Sequence, residues 1–304
     1  RFKREFGWEP ASSTLSDWMA SCCQLLKPLY NTLKQKILED GYIQADESPI
    51  KVLDSDKKGS THQGYQWVYH DPLQKLVLFN YRKGRGQQGP KELLDGYKGY
   101  VQCDGWGVYD KIGIDPDITM AGCLVHARRK FVDARDQDQA RAEKALAIFS
   151  EIYREERAIK AGAAGNAEMR KELRLQKVLP LLQQIKTWIQ EEQFKVLPKS
   201  AMGKAMTYFI NQYPKFEVIF EDGRIELDNN LIENAIRPLA LGRKNFLFAG
   251  SHKAAQNAAM LYSFFGSCKM HGVNPQEWLE DTLQRIPDHS IQKLEELLPG
   301  YQKA

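Results

Sequence analysis

Three acidic residues stand where strands and a helix could aim them at one point: Asp46, Asp104 and Glu233. Asp46 falls at the end of the first expected strand and Asp104 at the end of the fourth. If those strands are neighbours in one sheet, the two carboxylates meet at the same edge, and Glu233 on a helix can pack across it. Three converging carboxylates make an open, oxygen-rich site suited to two Mg²⁺ or Mn²⁺ ions. Such a pair of ions can activate an attacking oxygen and stabilise a leaving one. Each acid also has an ordinary explanation, since the chain holds 39 Asp and Glu residues. Asp46 can cap a turn with Ser48, Asp104-Gly105 is a standard turn pair, and Glu233 can be a solvated helix residue. Strand-end placement pairs Asp46 with Asp104 but does not single out Glu233.

The cations are distributed in a way that suits a polyphosphate. Arg82, Lys83, Arg85 and Lys91 fall in an acid-free, glycine-rich stretch that reads as a mobile basic loop. Arg237, Arg243, Lys244, Lys253 and Lys269 fall in a second acid-free stretch, just after the acid-rich segment 217–233. Acidic points beside basic surfaces are what a metal-dependent enzyme acting on a polyphosphate needs, although charge alone favours a solvated mixed-charge surface. His126, Arg128 and Arg129 follow the fifth expected strand and suit phosphate contacts. Arg237, four residues after Glu233, can pair with it or reach a phosphate. Arg243, Lys244 and Asn245, read as a Gly-led turn, are the strongest candidates for phosphate contacts. Trp106 can stack an unpaired base or simply wall the core.

These residues need a frame. Segment 1–40 reads as helical, with Trp18, Cys22, Leu25 and Leu26 at helical spacing and Ser12, Ser13 and Thr14 as N-caps. Its part 11–40 also fits a helix-turn-helix remnant. A strand over 42–53 is expected to turn at Ser48-Pro49. Strands over 64–71 and 75–82 form a hairpin, 90–97 a short helix, and 99–105 a buried strand. Segment 117–135 runs from strand into helix. This order mixes an antiparallel meander with a parallel crossover, so a mixed sheet covered by helices is expected. Segment 136–213 is helical, with stripes Ala142, Leu146, Phe149, Tyr153 and Leu175, Leu179, Leu182, Ile189, and with Pro180 kinking or starting a helix. Segment 216–227 suggests a hairpin turning at Asp222-Gly223. A helix from about Asn229, capped by Asp228, carries Glu233, and helices over 253–270 and 275–283 follow.

Four motifs carry a resemblance. YIQADESPIKVLD (42–54), GYVQCDGWGVYD (99–110), GCLVHARRKF (122–131) and LDNNLIENAIRPLALGRKNFLFAGS (227–251) resemble the insertion-sequence-66 family of bacterial transposases. They run in order, from about Gly41 to Leu279. The resemblance implies an α/β, ribonuclease-H-like mixed five-stranded sheet flanked by helices. It also implies a D-D-E triad of Asp46, Asp104 and Glu233 binding Mg²⁺ or Mn²⁺. It divides the chain into 1–40, a first core part 41–135, a helical insertion 136–213, and 214–304 with the catalytic helix. The insertion accounts for the 129 positions between Asp104 and Glu233. Implied partners are DNA at element ends and target, a homodimer or larger assembly on that DNA, and accessory proteins.

Full-length members of the family carry a zinc-binding and helix-turn-helix region before the catalytic core, of which 11–40 would be the remnant, and no Cys-x-x-Cys pair occurs here. Cys123-x-x-His126 is half a zinc site with no second half. Together with a start at Arg1, this leads to the expectation that end recognition is missing or truncated. Five scattered cysteines suggest no disulfide framework and a reducing, cytoplasmic setting. No apolar run reaches the roughly 18 residues of a membrane span, and no secretory leader opens the chain. Two rivals remain. Glycoside hydrolysis also uses paired carboxylates, but the basic stretches and the lack of an aromatic sugar platform argue against it. A non-catalytic DNA-binding or regulatory derivative is the second.

Overall fold

The computed structural model describes residues 2–53 and 59–301; Arg1 and Asp54 of the first motif lie outside them. The chain divides into two compact units, residues 1–95 with 232–304 and residues 96–231. The first unit opens with α1 (Phe2–Phe6), α2 (Ser12–Leu25) and α3 (Lys27–Lys36). The strands β1 (Tyr42–Leu53), β2 (Thr61–Asp71) and β3 (Leu76–Arg82) follow, then α4 (Gln88–Leu93). The second unit holds β4 (Gly99–Gln102), α5 (Gly107–Ile112), β5 (Ile118–Ala121) and α6 (Leu124–Asp133). It continues through α7 (Gln139–Ala163), α8 (Ala167–Lys177), α9 (Leu179–Glu192) and α10 (Ala201–Glu217). The chain ends in α11 (Asn230–Asn245), α12 (His252–Met270) and α13 (Pro275–Arg285). The protein is α/β. Its mixed five-stranded sheet combines the antiparallel meander β1–β2–β3 with the parallel pair β4–β5, and helices flank it. This is the ribonuclease-H-like class expected.

The meander buries one face of each strand under helices, and most of β2 and β3 is buried on both faces. Ile50, Val52, Val68, Val77 and Phe79 share one face and pack against Ile232, Ala235, Ile236 and Leu239 of α11 and Ala255 and Ala259 of α12. Small residues let α12 approach closely. A Cβ on Gly266 would meet Val77 Cγ1 at 2.5 Å. From that position Ser263 and Ser267 accept the backbone N–H groups of Phe79 and Val77 at 2.8 and 3.0 Å. The helix thus supplies partners to β3, whose second edge would otherwise be left bare.

Several local expectations change. Ser48-Pro49 makes no turn: β1 runs through it, with Pro49 opposite Tyr65. Lys51 C=O and Leu53 N–H both bond to Ala249, on the side of β1 away from β2. Pro49, two residues earlier, turns its ring nitrogen the same way, so the β1–β2 ladder loses no bond. Asp46 is therefore inside a long strand rather than at its end. No hairpin forms at Asp222-Gly223, because the backbone there bonds to side chains instead. Arg243, Lys244 and Asn245 form the last turn of α11, not a loop. The N-cap of α2 is Ala11, with no side-chain bond, so the three hydroxyl residues cap nothing. Trp18 and Leu25 are exposed, whereas Cys23 and Leu26 are buried. Trp18 stacks with Phe2 and Trp8 at ring separations of 6.4 and 5.8 Å. Leu175 is exposed, and its neighbour Arg174 is the residue buried on α8. Pro180 starts α9.

Candidate active site

The site is built on β1. Gln44 and Asp46 are two apart and so lie on one face of the strand. Gln44 is fully buried, and its Oε1 accepts the N–H of Ile232 at 3.1 Å. That bond satisfies one of the orphan donors at the start of α11 and seats the first turn of the helix on the face of β1 that carries Asp46. Glu233 is the next residue in that turn. Within the first unit, the helical turn that carries Glu233 is thus tied to the strand that carries Asp46. Gln44 escaped the sequence reading, although the period-2 alternation from Asp46 marks it.

Asp46 is half-buried, and its Oδ1 accepts the N–H of Glu47 at 2.7 Å. Glu47, on the opposite face, has its side chain only 5% exposed and holds Arg85 at 2.5 Å. Arg82 is likewise tied to Glu92 at 2.6 Å. The basic loop expected to be mobile is anchored at two of its cations. Arg237 is exposed, one turn beyond Glu233 on α11. Arg243 donates to the Pro49 carbonyl, while Lys244 and Asn245 are exposed at the C-terminal end of α11. Cations there complement the helix dipole.

Asp104 lies in the second unit, two residues beyond β4. Its Oδ1 accepts the N–H of Trp106 at 3.0 Å, closing a turn. Gly105 is required at that turn, since a Cβ there would sit 2.7 Å from the Tyr208 ring. Trp106 meets Tyr109 edge-on at 6.0 Å. On α6, Arg129 approaches His126 Nε2 at 3.5 Å, and Arg128 lines a small cavity with Tyr153, Arg157 and Asn230. The Cys123 thiol donates to Asn229 Oδ1 at 2.9 Å, and burial pushes its pKa up to about 12. It is a buried hydrogen-bonded thiol rather than half a zinc site.

The segment before α11 is held by charges far away in sequence. Fully buried Arg174 donates to the carbonyls of Ile219 and Ile225 at 3.2 and 2.8 Å and to Glu156 at 2.9 and 2.7 Å. Arg170 joins Glu156 to Glu226, with Lys160 also on Glu226. Burial alone would raise the Glu156 pKa; Arg174 and Arg170 more than offset it and hold the carboxyl below its usual range. Gln102 adds a bond to the Glu226 carbonyl at 2.7 Å. The carbonyls that a hairpin would use are taken by these side chains.

The donor set Asp46, Asp104, Glu233 is hard oxygen, the chemistry Mg²⁺ or Mn²⁺ prefers. Among the described residues, no three Asp, Glu, His or Cys side chains gather into a ready-made metal group. Mg²⁺ is commonly held by one or two carboxylates and completed by water and substrate phosphate, so the residue types fit a site finished by its substrate.

A sequence profile of the transposase IS66 family matches residues 1–257, and one of the IS66 C-terminal element matches residues 263–299. The chain belongs to the IS66 transposase family. Similar curated proteins include the uncharacterized proteins y4qI and y4hP of Sinorhizobium fredii, 32% and 30% identical over 96% and 98% of this chain. The chain spans 57% of the length of each of these relatives. Among the described residues, no helix is long and apolar enough to cross a membrane.

Proposed function

We propose that this chain is the catalytic core of a DDE-type transposase, with Asp46, Asp104 and Glu233 holding divalent metal. The observation that carries the reading is the Gln44–Ile232 bond, which ties the turn bearing Glu233 to the strand bearing Asp46. Bound there, Mg²⁺ or Mn²⁺ supplies Lewis acidity toward a phosphodiester. The reaction is two in-line phosphoryl transfers. Water first attacks a phosphodiester at the element end; the P–O3′ bond breaks and a 3′-OH leaves, taking a proton. That 3′-OH then attacks a target phosphodiester, and the target's own 3′ oxygen leaves. No Ser, Tyr or Cys nucleophile is required. His126, Arg128 and Arg129 on α6, together with Arg237, Arg243, Lys244 and Asn245 on α11, supply phosphate contacts, and Trp106 offers a stacking surface. DNA is the partner, as a dimer or larger assembly with accessory proteins.

The test is Mg²⁺-dependent cleavage of element-end DNA by wild type and by Asp46→Asn, Asp104→Asn and Glu233→Gln. Each variant is expected to fall to background while keeping the wild-type melting temperature. Wild-type activity in all three would overturn the assignment. A non-catalytic DNA-binding or regulatory derivative is the second reading. It predicts metal-independent DNA binding and no cleavage by the wild type.

A further inference from the structure

One cavity in the first unit uses none of the residues assigned to metal or phosphate under the proposed function. It measures about 630 Å³ and lies among α2, α3, the end of β3 and the start of α12. Lys27, Lys34, Arg82 and Lys253 line it, and no carboxylate does. A second cavity of about 430 Å³ shares Tyr81, Arg82 and Gln256 with the first. It adds Lys83 and the backbone of the glycine-rich loop. The first cavity and the walls it shares with the second form a basic trough.

The charge in this trough is not neutralised from within. Lys27, Tyr30 and Lys34 are spaced i, i+3, i+7 and so share one face of α3. Both ammonium groups stand over the Tyr30 ring, at 5.3 and 4.8 Å. The ring is fixed, because its hydroxyl donates to the Phe79 carbonyl. Two lysines are therefore held in place by a neutral ring, which orients them and leaves their charge intact. Among the described residues, neither they nor Lys253 has a carboxylate within ion-pair distance. Lys253 lies in the first turn of α12, where the helix dipole adds to the positive field. Arg82 has Glu92 as its partner, and Glu92 does not line the cavity. Burial, then Lys27 and Arg82, lower the Lys34 pKa, with Glu92 opposing them. Lysines that are merely solvated spread apart; here they are packed together against mutual repulsion, which a polyanion relieves.

We propose that this trough is a DNA-backbone track, distinct from the carboxylate site, in which Lys27, Lys34, Arg82 and Lys253 hold successive phosphates. The proposal rests on the reading of the chain as a protein that acts on DNA, and it identifies where that DNA is gripped independently of chemistry. Phosphate contacts position a duplex without reading its sequence, so the track binds DNA of any sequence.

The experiment is fluorescence anisotropy of a labelled random-sequence duplex with the full chain, without divalent metal, across a salt series. The triple variant Lys27→Gln, Lys34→Gln, Lys253→Gln is expected to bind at least about tenfold more weakly. The slope of log affinity against log salt should shrink by roughly 2–3, near 0.9 for each phosphate that the variant no longer neutralises. The matching Lys→Arg triple is expected to bind as wild type, which separates a loss of charge from a loss of folding. A triple of equal charge change on the second unit, Lys177→Gln, Lys199→Gln, Lys204→Gln, is expected to keep the slope. If wild type binds and the first triple binds with unchanged slope, the track is refuted while the DNA-acting reading stands. If wild type binds no DNA, both fall. If the three lysines bind a free nucleoside triphosphate but no duplex, the trough is a small-anion site and the proposal fails.

Discussion

Each unit buries an apolar core, but the two differ in the polar contacts that hold their segments in place. In the first, the face of the meander is sealed by aliphatic and aromatic side chains, Val68, Val77, Phe79, Ile232 and Leu239 among them. Its long-range polar contacts are mostly neutral: two serines on β3 and one glutamine on the start of α11. In the second, an ionic chain of Arg174, Glu156, Arg170, Glu226 and Lys160 reaches the interior and holds the segment before α11 by its carbonyls. Apolar packing is non-directional and adjusts to small changes in shape. A buried ion network is directional, and removing one member leaves the others buried and uncompensated. The neutral contacts of the first unit tie helices to a regular sheet, whereas the ion network of the second fixes the path of one irregular segment, that leading to α11.

The largest effect should come from breaking the network. Arg174→Ala leaves Glu156 and two carbonyls without their partner, and we expect a loss of about 3–5 kcal/mol in urea unfolding. Replacing Glu156, Arg170 and Arg174 together by Leu, Met and Met should recover much of that loss while loosening segment 219–226, seen as faster amide exchange there. A recovery with unchanged exchange would remove the distinction between the units.

A smaller effect is expected in the first unit, where His70 is 3% exposed and burial lowers its pKa to about 4. Above pH 6.5 the ring is neutral in both folded and unfolded chains and has no effect on pH dependence. Below that, the unfolded chain takes up a proton that the folded chain refuses, so stability falls from about pH 6.5 to about pH 4 and then levels off. The loss is about 3 kcal/mol at 1.36 kcal/mol per unit. Subtracting the unfolding profile of His70→Phe isolates it; parallel profiles would mean that His70 does not titrate as burial dictates.

Much of this was legible in the sequence, and for identifiable reasons. Segment 64–71 alternates, and Asp228 and Asn229 mark the start of α11, which begins at Asn230. Pro49 misled because tolerance of a proline depends on which side of the strand its nitrogen faces, and that depends on the partner. The false hairpin at Asp222-Gly223 has a similar cause: the groups that take its carbonyls, Arg174 and Gln102, lie in other elements. Arg82 and Lys253 stood out in acid-free stretches, but the trough itself was hidden because its four cations come from α3, β3 and α12 and converge only on folding. Its sign within α3 was the i, i+3, i+7 spacing of Lys27, Tyr30 and Lys34.

The proposed mechanism stands or falls on Asp46, Asp104 and Glu233 holding one metal site in the DNA-bound protein. Iron-directed cleavage reads this out: Fe²⁺ replaces Mg²⁺, and ascorbate and peroxide cut the polypeptide wherever bound iron lies. Three sets of cuts are expected, around residues 46, 104 and 233, all strengthened by DNA and all abolished together in Asp46→Asn. Cuts confined to one of these regions, or unchanged in that variant, would refute the shared site.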